Sequence, residues 1–179
     1  MADLLMANTS NVKEMKNGRP ESVLLKTATG KTDGTALPNC AIVSVGEVVE
    51  GDHILEAKAL AATTAVGKFV VVAPEINVEQ YRMINNDIAK FALEAGEVYT
   101  AYELQLRDRL ELSEGMFAAV PAVGDTVNIA ADGKLTAKIT DGGCLKVISI
   151  REQRLPQMVL PDGSMRPAAV KMIKVEVVK

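Results

Sequence analysis

Short apolar runs with a two-residue period occupy most of the chain beyond residue 40 and predict β-strands. Val98, Thr100, Tyr102 and Leu104 alternate with their neighbours, as in a strand with one buried face. The unbroken run Phe69–Val72 indicates instead a strand that is buried on both faces. Asp-Gly pairs between the runs are typical of tight turns. The predicted strands cover residues 41–50, 67–73, 97–104, 109–113, 126–130, 135–140, 144–151 and 170–178.

One segment has helical spacing. Between Asn77 and Ala95 apolar residues recur every three or four positions, Asn77 and Gln80 stand in capping-box positions, and Gly96 provides a stop. The pattern predicts one short helix. The lack of long helices that alternate with the strands disfavours a doubly wound α/β fold. The predicted fold class is mainly β, a small antiparallel β-barrel or sandwich with one short helix.

The first 38 residues have a different character. They are rich in Thr, Gly, Asn and Lys and contain two short apolar runs. Such a stretch buries little apolar surface by itself, so it predicts an extended N-terminal arm that is either frayed or ordered against a partner or a sister subunit. The predicted partner-binding anchors are the apolar residues Leu4, Leu5, Met6, Val23, Leu24 and Leu25.

Charge and aromatic content divide the remainder of the chain. Residues 41–117 carry six basic and thirteen acidic side chains and all six aromatic residues, whereas residues 118–179 carry nine basic and six acidic ones. Both markers change near Phe117–Pro121. The sequence therefore predicts three parts: the arm over 1–38, a β-rich domain over 39–120 that includes the short helix, and a β-rich C-terminal subdomain over 121–179.

Composition excludes several classes of partner. With 48% hydrophobic residues the chain has enough apolar surface for a core, but it lacks the run of about twenty apolar residues that a spanning helix needs. A net charge of −3 without clustered Lys and Arg gives no nucleic-acid footprint. We therefore predict no membrane and no nucleic-acid partner. The N-terminus lacks the basic flank of a signal peptide, so we expect synthesis in the cytoplasm.

Candidate catalytic chemistry is sparse. His53 is the single histidine, which excludes two-histidine metal motifs. With Asp52 or Glu56 as its orienting acid, it leaves open a small hydrolase. Cys40 and Cys144 are expected to be two packed thiols without a disulfide. A glycine-rich phosphate loop is missing. We therefore predict no enzymatic activity, no catalytic residues, no metal and no cofactor.

The segment from Phe91 to Met116 carries a family resemblance. Phe91–Leu104 reads FALEAGEVYTAYEL and Arg107–Met116 reads RDRLELSEGM. This progression is similar to that of tailed-bacteriophage structural proteins of the capsid decoration or head-fibre type, although Arg107 stands where that pattern has glycine. The resemblance covers roughly residues 40–179, and its later parts are Val123–Val127, the Asp132-Gly133 turn and the strands Leu145–Glu152 and Val170–Val178.

The resemblance implies a non-enzymatic virion structural protein. Such a protein would bind the outer surface of a phage capsid as a trimer or dimer and stabilise or decorate it. Its partner would be the major capsid protein lattice, and its location the capsid exterior. Two alternatives stay open: a small hydrolase-like β-barrel enzyme that uses His53, and an adhesin or glycan-binding module. The lack of Trp disfavours the second, because sugar rings usually stack on exposed aromatic side chains.

Overall fold

The fold is mainly β, as the sequence predicts. A computed structural model describes residues 20–26, 36–49, 53–73, 92–140, 142–154 and 169–179. Within these ranges the single helical element is a 3-10 turn at Glu114–Met116. The strands in chain order are β1 (Pro20–Lys26), β2 (Leu37–Pro38), β3 (Ile42–Val48), β4 (Leu55–Lys58), β5 (Phe69–Val72), β6 (Ala92–Leu93), β7 (Val98–Glu103), β8 (Arg109–Ser113), β9 (Thr126–Val127), β10 (Leu145–Arg154) and β11 (Ala169–Val177).

Five strands close into a barrel in the order β1-β4-β3-β5-β7, and β7 pairs back with β1. Every pair in the barrel is antiparallel except β1 with β4, which run parallel with Val23 opposite Leu55. The predicted barrel is therefore confirmed, whereas its purely antiparallel pairing is not. Closure matters physically because it leaves no strand edge in the barrel open to other chains.

β1 lies inside the range that the sequence assigns to an extended arm. Its backbone pairs with β4 on one side and β7 on the other, so it completes the barrel. Val23 and Leu25 are buried in the barrel interior. The structure thus differs from the arm prediction at residues 20–26. The three-residue apolar run was too short to indicate a strand, because the partners that bury it lie far along the chain.

A second sheet has the order β8-β11-β10-β9. Its long pair is β10 with β11, and β8 flanks β11 from Arg109 to Ser113. The sequence predicts a hairpin from residues 97–104 and 109–113, and this is wrong: β7 pairs within the barrel while β8 pairs with β11. The turn between them carries the chain from barrel to sheet. Sheet membership therefore changes ahead of the composition change at Phe117–Pro121.

Two predicted elements differ from the structure in length or position. Residues 135–140 form isolated bridges instead of the predicted strand: Leu135 bridges to Phe117 and Ile129, and Ile139 bridges to Thr126. The predicted strand 126–130 is shorter in the structure, where β9 covers Thr126–Val127 and Ile129 forms isolated bridges. The predicted short helix falls mostly on residues 74–91, outside the described ranges, and its last part, Ala92–Leu93, pairs with β2.

Two apolar cores explain the pattern of the barrel strands. Val43, Val71 and Ala101 lie in the core inside the barrel. Ile42 and Val70 are directly opposite each other on the other face and join the core beneath the second sheet. β5 and the first two residues of β3 are thus covered on both faces, which confirms the expectation drawn from the unbroken run at residues 69–72.

A close approach at Gly143 gives a test of this packing. A Cβ atom added there would lie 2.7 Å from the Val127 amide nitrogen and 2.7 Å from Thr126 Cβ. We expect Gly143→Ala to lower the free energy of unfolding by about 1–3 kcal/mol, because the backbone must shift to admit the methyl group. Gly46→Ala is the matched control, since its Cβ would meet the Glu56 carbonyl oxygen at an ordinary 3.8 Å. Urea denaturation of both variants measures the difference, and equal midpoints would contradict it.

Candidate functional site

Two turns, at residues 65–68 and 104–108, meet the segment that follows β11 where the barrel passes into the second sheet. The Val66 N–H donates to the Lys179 carbonyl at 3.2 Å, and the Arg107 N–H donates to the Val177 carbonyl at 2.9 Å. The Gly67 N–H donates to the carbonyl of Leu104, at the start of the second turn, at 3.1 Å. These backbone bonds join residues far apart in sequence, so each of the three segments holds the other two in place.

Each of these three segments presents one exposed aliphatic side chain. Val66 is 43% exposed, Leu106 51% and Val178 38%. Arg107 and Lys179 are exposed beside them, and no ion pair within the described part of the chain involves either cation. Single exposed aliphatic residues are ordinary, but a group of them on linked turns is typical of a contact surface. We call these five residues the junction patch.

The backbone at Arg107 is strained. Its φ of 74° lies in the left-handed region, where glycine is favoured. Asp108 fixes this turn: its carboxylate accepts the Gln105 N–H at 2.8 Å, and its carbonyl accepts the Val177 N–H at 2.9 Å. An arginine that occupies a position suited to glycine costs stability, and such a cost often accompanies a functional side chain.

Three of the six predicted partner-binding anchors lie within the described residues, and all three are on β1. Val23 and Leu25 are buried against this chain's own barrel residues, so they are not available to a partner. Leu24 is half-buried on β1, between the two. Leu4, Leu5 and Met6 lie outside the described residues, and their role stays a prediction.

His53 lies in no recognisable catalytic arrangement within the described residues. It is exposed. Glu56, one of its two predicted orienting acids, forms an ion pair with Lys26 and lies 3.9 Å from Lys58. The hydrogen bond from Lys26 lowers the pKa of the Glu56 carboxyl. Asp52, the other predicted acid, is outside the described ranges. Among the described residues there is also no group of three His, Cys, Asp or Glu side chains suited to hold a metal ion.

Both cysteines are buried thiols, as predicted, and no disulfide joins them. Burial raises the pKa of the Cys144 thiol, because the thiolate loses hydration in the core. A raised pKa makes a thiol less nucleophilic at neutral pH. Cys144 therefore belongs to the core rather than to a reactive site.

An ion pair crosses the outer face of the second sheet. Glu111 on β8 and Arg151 on β10 form a bidentate pair that spans β11, with Arg151 Nη2 donating to Glu111 Oε2 at 2.8 Å. The hydrogen bonds to Glu111 raise the pKa of the Arg151 guanidinium. Glu111, which belongs to the acidic middle segment, is therefore already paired within the chain.

Comparisons with known protein families, with curated proteins and with solved structures find no match to this chain. No helix in the described ranges has the length and apolar content to cross a membrane. The junction patch is therefore the strongest candidate site that the geometry offers. Sequence reasoning missed it because its members come from two turns and the segment after β11, which lie far apart in sequence. The available signal was an aliphatic residue, Leu106, inside a predicted turn.

Proposed function

We propose that this chain is a non-enzymatic virion structural protein that binds the outer surface of a phage capsid and stabilises or decorates it. The observation that supports the proposal is the junction patch, an apolar surface with two cations. One of its two turns, which contains Leu106 and Arg107, lies within the segment that resembles capsid decoration proteins. The patch therefore joins the resemblance to a surface that can contact another protein.

The chemistry of the patch suits a protein partner. Protein interfaces combine apolar contacts at the centre with charged groups at the rim, and complementary charge mainly sets specificity and association rate. Val66, Leu106 and Val178 supply the apolar contacts, while Arg107 and Lys179 favour an acidic neighbour. Glu103, also exposed at this end of β7, would favour a cation on the partner.

Co-sedimentation with undecorated capsids tests the proposal. We expect saturable binding of the wild-type chain at a fixed ratio to the capsid protein. Leu106→Asp should weaken it by at least about tenfold, since a charge at the centre of an apolar contact is left without solvation. Val98→Asp is the matched control: Val98 is 47% exposed at the opposite end of β7 and should bind like the wild type.

A second variant separates binding from folding. Arg107→Gly relieves the left-handed strain, so its unfolding midpoint should equal or exceed that of the wild type. Its binding should nevertheless weaken and depend less on salt, because a charged contact is lost. Deletion of residues 1–19 keeps β1 and tests the predicted contribution of Leu4, Leu5 and Met6 to binding. Sedimentation of the wild type with unrelated particles, or none with capsids, would overturn the proposal.

A further inference from the structure

Among the described residues, β10 has a partner on its outer side only as far as Val147. β9 pairs with β10 at Leu145 and Lys146, and the turn before β9 continues the bonding as far as Val147. Residues 148–154 have no further partner strand in the described part of the chain, and each is exposed or half-buried. The opposite edge strand, β8, is buried from Leu110 onward. An open edge presents unpaired backbone donors and acceptors to another strand.

A bulge limits where a partner strand could pair. The ladder between β10 and β11 shifts register between Val147 and Ser149, so Ile148 is the extra residue. From Ser149 to Arg154 the register is continuous. Because a bulge disrupts pairing locally, residues 149–154 form the usable edge.

We propose that two copies of this chain pair antiparallel through this edge, about a two-fold axis that passes through Gln153. Directly opposite residues in a ladder share one face of the sheet. A two-fold axis perpendicular to the sheet must therefore place one residue directly opposite its own copy, and we name the axis after that residue. Six residues of the usable edge are candidates for that position, and their charges distinguish them.

Five of the six positions are unfavourable. An axis through Arg151, Glu152 or Arg154 sets that charge directly opposite its own copy, and like charges in that position are destabilising. An axis through Ser149 or Ile150 brings the bulge at residue 148 into the ladder. An axis through Gln153 instead places Glu152 opposite Arg154 of the second copy, once on each side of the axis.

Gln153 itself provides a separate observation. Its Oε1 is a buried side-chain acceptor without a hydrogen-bond partner in the described part of the chain. Such groups are rare because they lose hydration without compensation. On the axis the two Gln153 side chains lie side by side, and a change of rotamer that moves each Oε1 out of its covered position lets each amide N–H₂ donate to the oxygen of the other.

The pairing is short, because Pro156 lacks the N–H that a longer ladder needs. A contact of this size is weak between freely diffusing molecules. It becomes effective when two copies are held side by side, since the local concentration is then high. The inference does not rest on the proposed function, because two copies pair in the same way with or without a lattice.

Disulfide trapping in the full-length chain tests the register. Under mild oxidation Gln153→Cys should form a covalent dimer, since residues directly opposite in a ladder lie within disulfide reach. Ser149→Cys is the control on the same edge, and four residues from the axis it is too far from its own copy to bridge. A dimer from Gln153→Cys alone supports the proposal. Equal trapping of both variants, or of neither, overturns it.

Charge reversal gives a second test in the same trapping assay. Glu152→Arg and Arg154→Glu each create like-charge pairs on both sides of the axis, so each, combined with Gln153→Cys, should lower the yield of covalent dimer by about tenfold. The double variant restores opposite charges and should recover the yield of Gln153→Cys alone. Lys171 lies opposite Glu152 in the β10–β11 ladder, so unfolding midpoints are measured alongside. A double variant weaker than both single variants, with unchanged midpoints, contradicts the pairing.

Discussion

Leu104→Ala is expected to lower the free energy of unfolding by about 2–5 kcal/mol. Leu104 is fully buried at the end of β7, in the core that barrel residues and second-sheet residues share. Its backbone is also fixed, because its N–H donates to the Lys68 carbonyl at 2.7 Å. Truncation leaves a cavity that this anchored backbone closes only in part.

Leu106→Ala is the matched control, two residues further along. Leu106 is 51% exposed, so its truncation should change the free energy of unfolding by less than about 0.5 kcal/mol. Chemical denaturation with circular dichroism compares the two variants. Because the shared core ties barrel to sheet, Leu104→Ala should unfold in one transition at lower denaturant. Two separate transitions would show that the barrel and the second sheet unfold independently. Equal effects of the two truncations would contradict the expected contribution of Leu104 to the shared core.

Asn39→Ala should destabilise the barrel by about 2–4 kcal/mol. The Asn39 side chain is buried in the turn before β3 and bonds the backbone just after β5: Oδ1 accepts the Ala73 N–H at 3.1 Å, and Nδ2 donates to the Ala73 carbonyl at 3.0 Å. Oδ1 also accepts the Cys40 N–H at 3.0 Å. Alanine leaves the two Ala73 groups without these side-chain partners in the core, and their desolvation is then uncompensated.

Asp132→Ala is the control for this effect. Asp132 also bonds a backbone N–H in a turn, that of Lys134 at 3.1 Å, but in an exposed position where water can replace it. Its loss should cost less than about 1 kcal/mol. Thermal unfolding by calorimetry ranks the two variants. If Asn39→Ala were no more destabilising than Asp132→Ala, the side-chain bridge would not stabilise the barrel.

Local periodicity indicated the strands whose burial repeats along the sequence. β8 lies at the predicted residues 109–113, and β10 and β11 lie close to the predicted 144–151 and 170–178. β1 was missed because its burial comes from strands β4 and β7, which no local pattern reveals. The turn at residues 104–108 was mistaken for a hairpin for a related reason: turn chemistry shows that the chain turns, and not which sheet it enters.

The candidate site was harder to predict than the fold. Val66, Leu106 and Val178 belong to no common sequence pattern. They meet only because backbone hydrogen bonds link two turns and the segment after β11. Arg107 has a positive φ, and no local sequence pattern shows that this residue adopts the conformation that glycine favours. Val23 and Leu25 lie in the barrel core, although the sequence places them among the partner-binding anchors, because apolar character alone does not distinguish a core contact from a partner contact.

The closure of the barrel through β1 also affects how the chain folds during synthesis. Of the five barrel strands, β1 is synthesised first, yet one of its two pairing strands, β7, is made only after β3, β4 and β5. The barrel therefore cannot close until synthesis has passed residue 103, and until then Val23 and Leu25 lack part of their cover. Non-local pairing of this kind slows folding and lengthens the time during which apolar strands are exposed to aggregation.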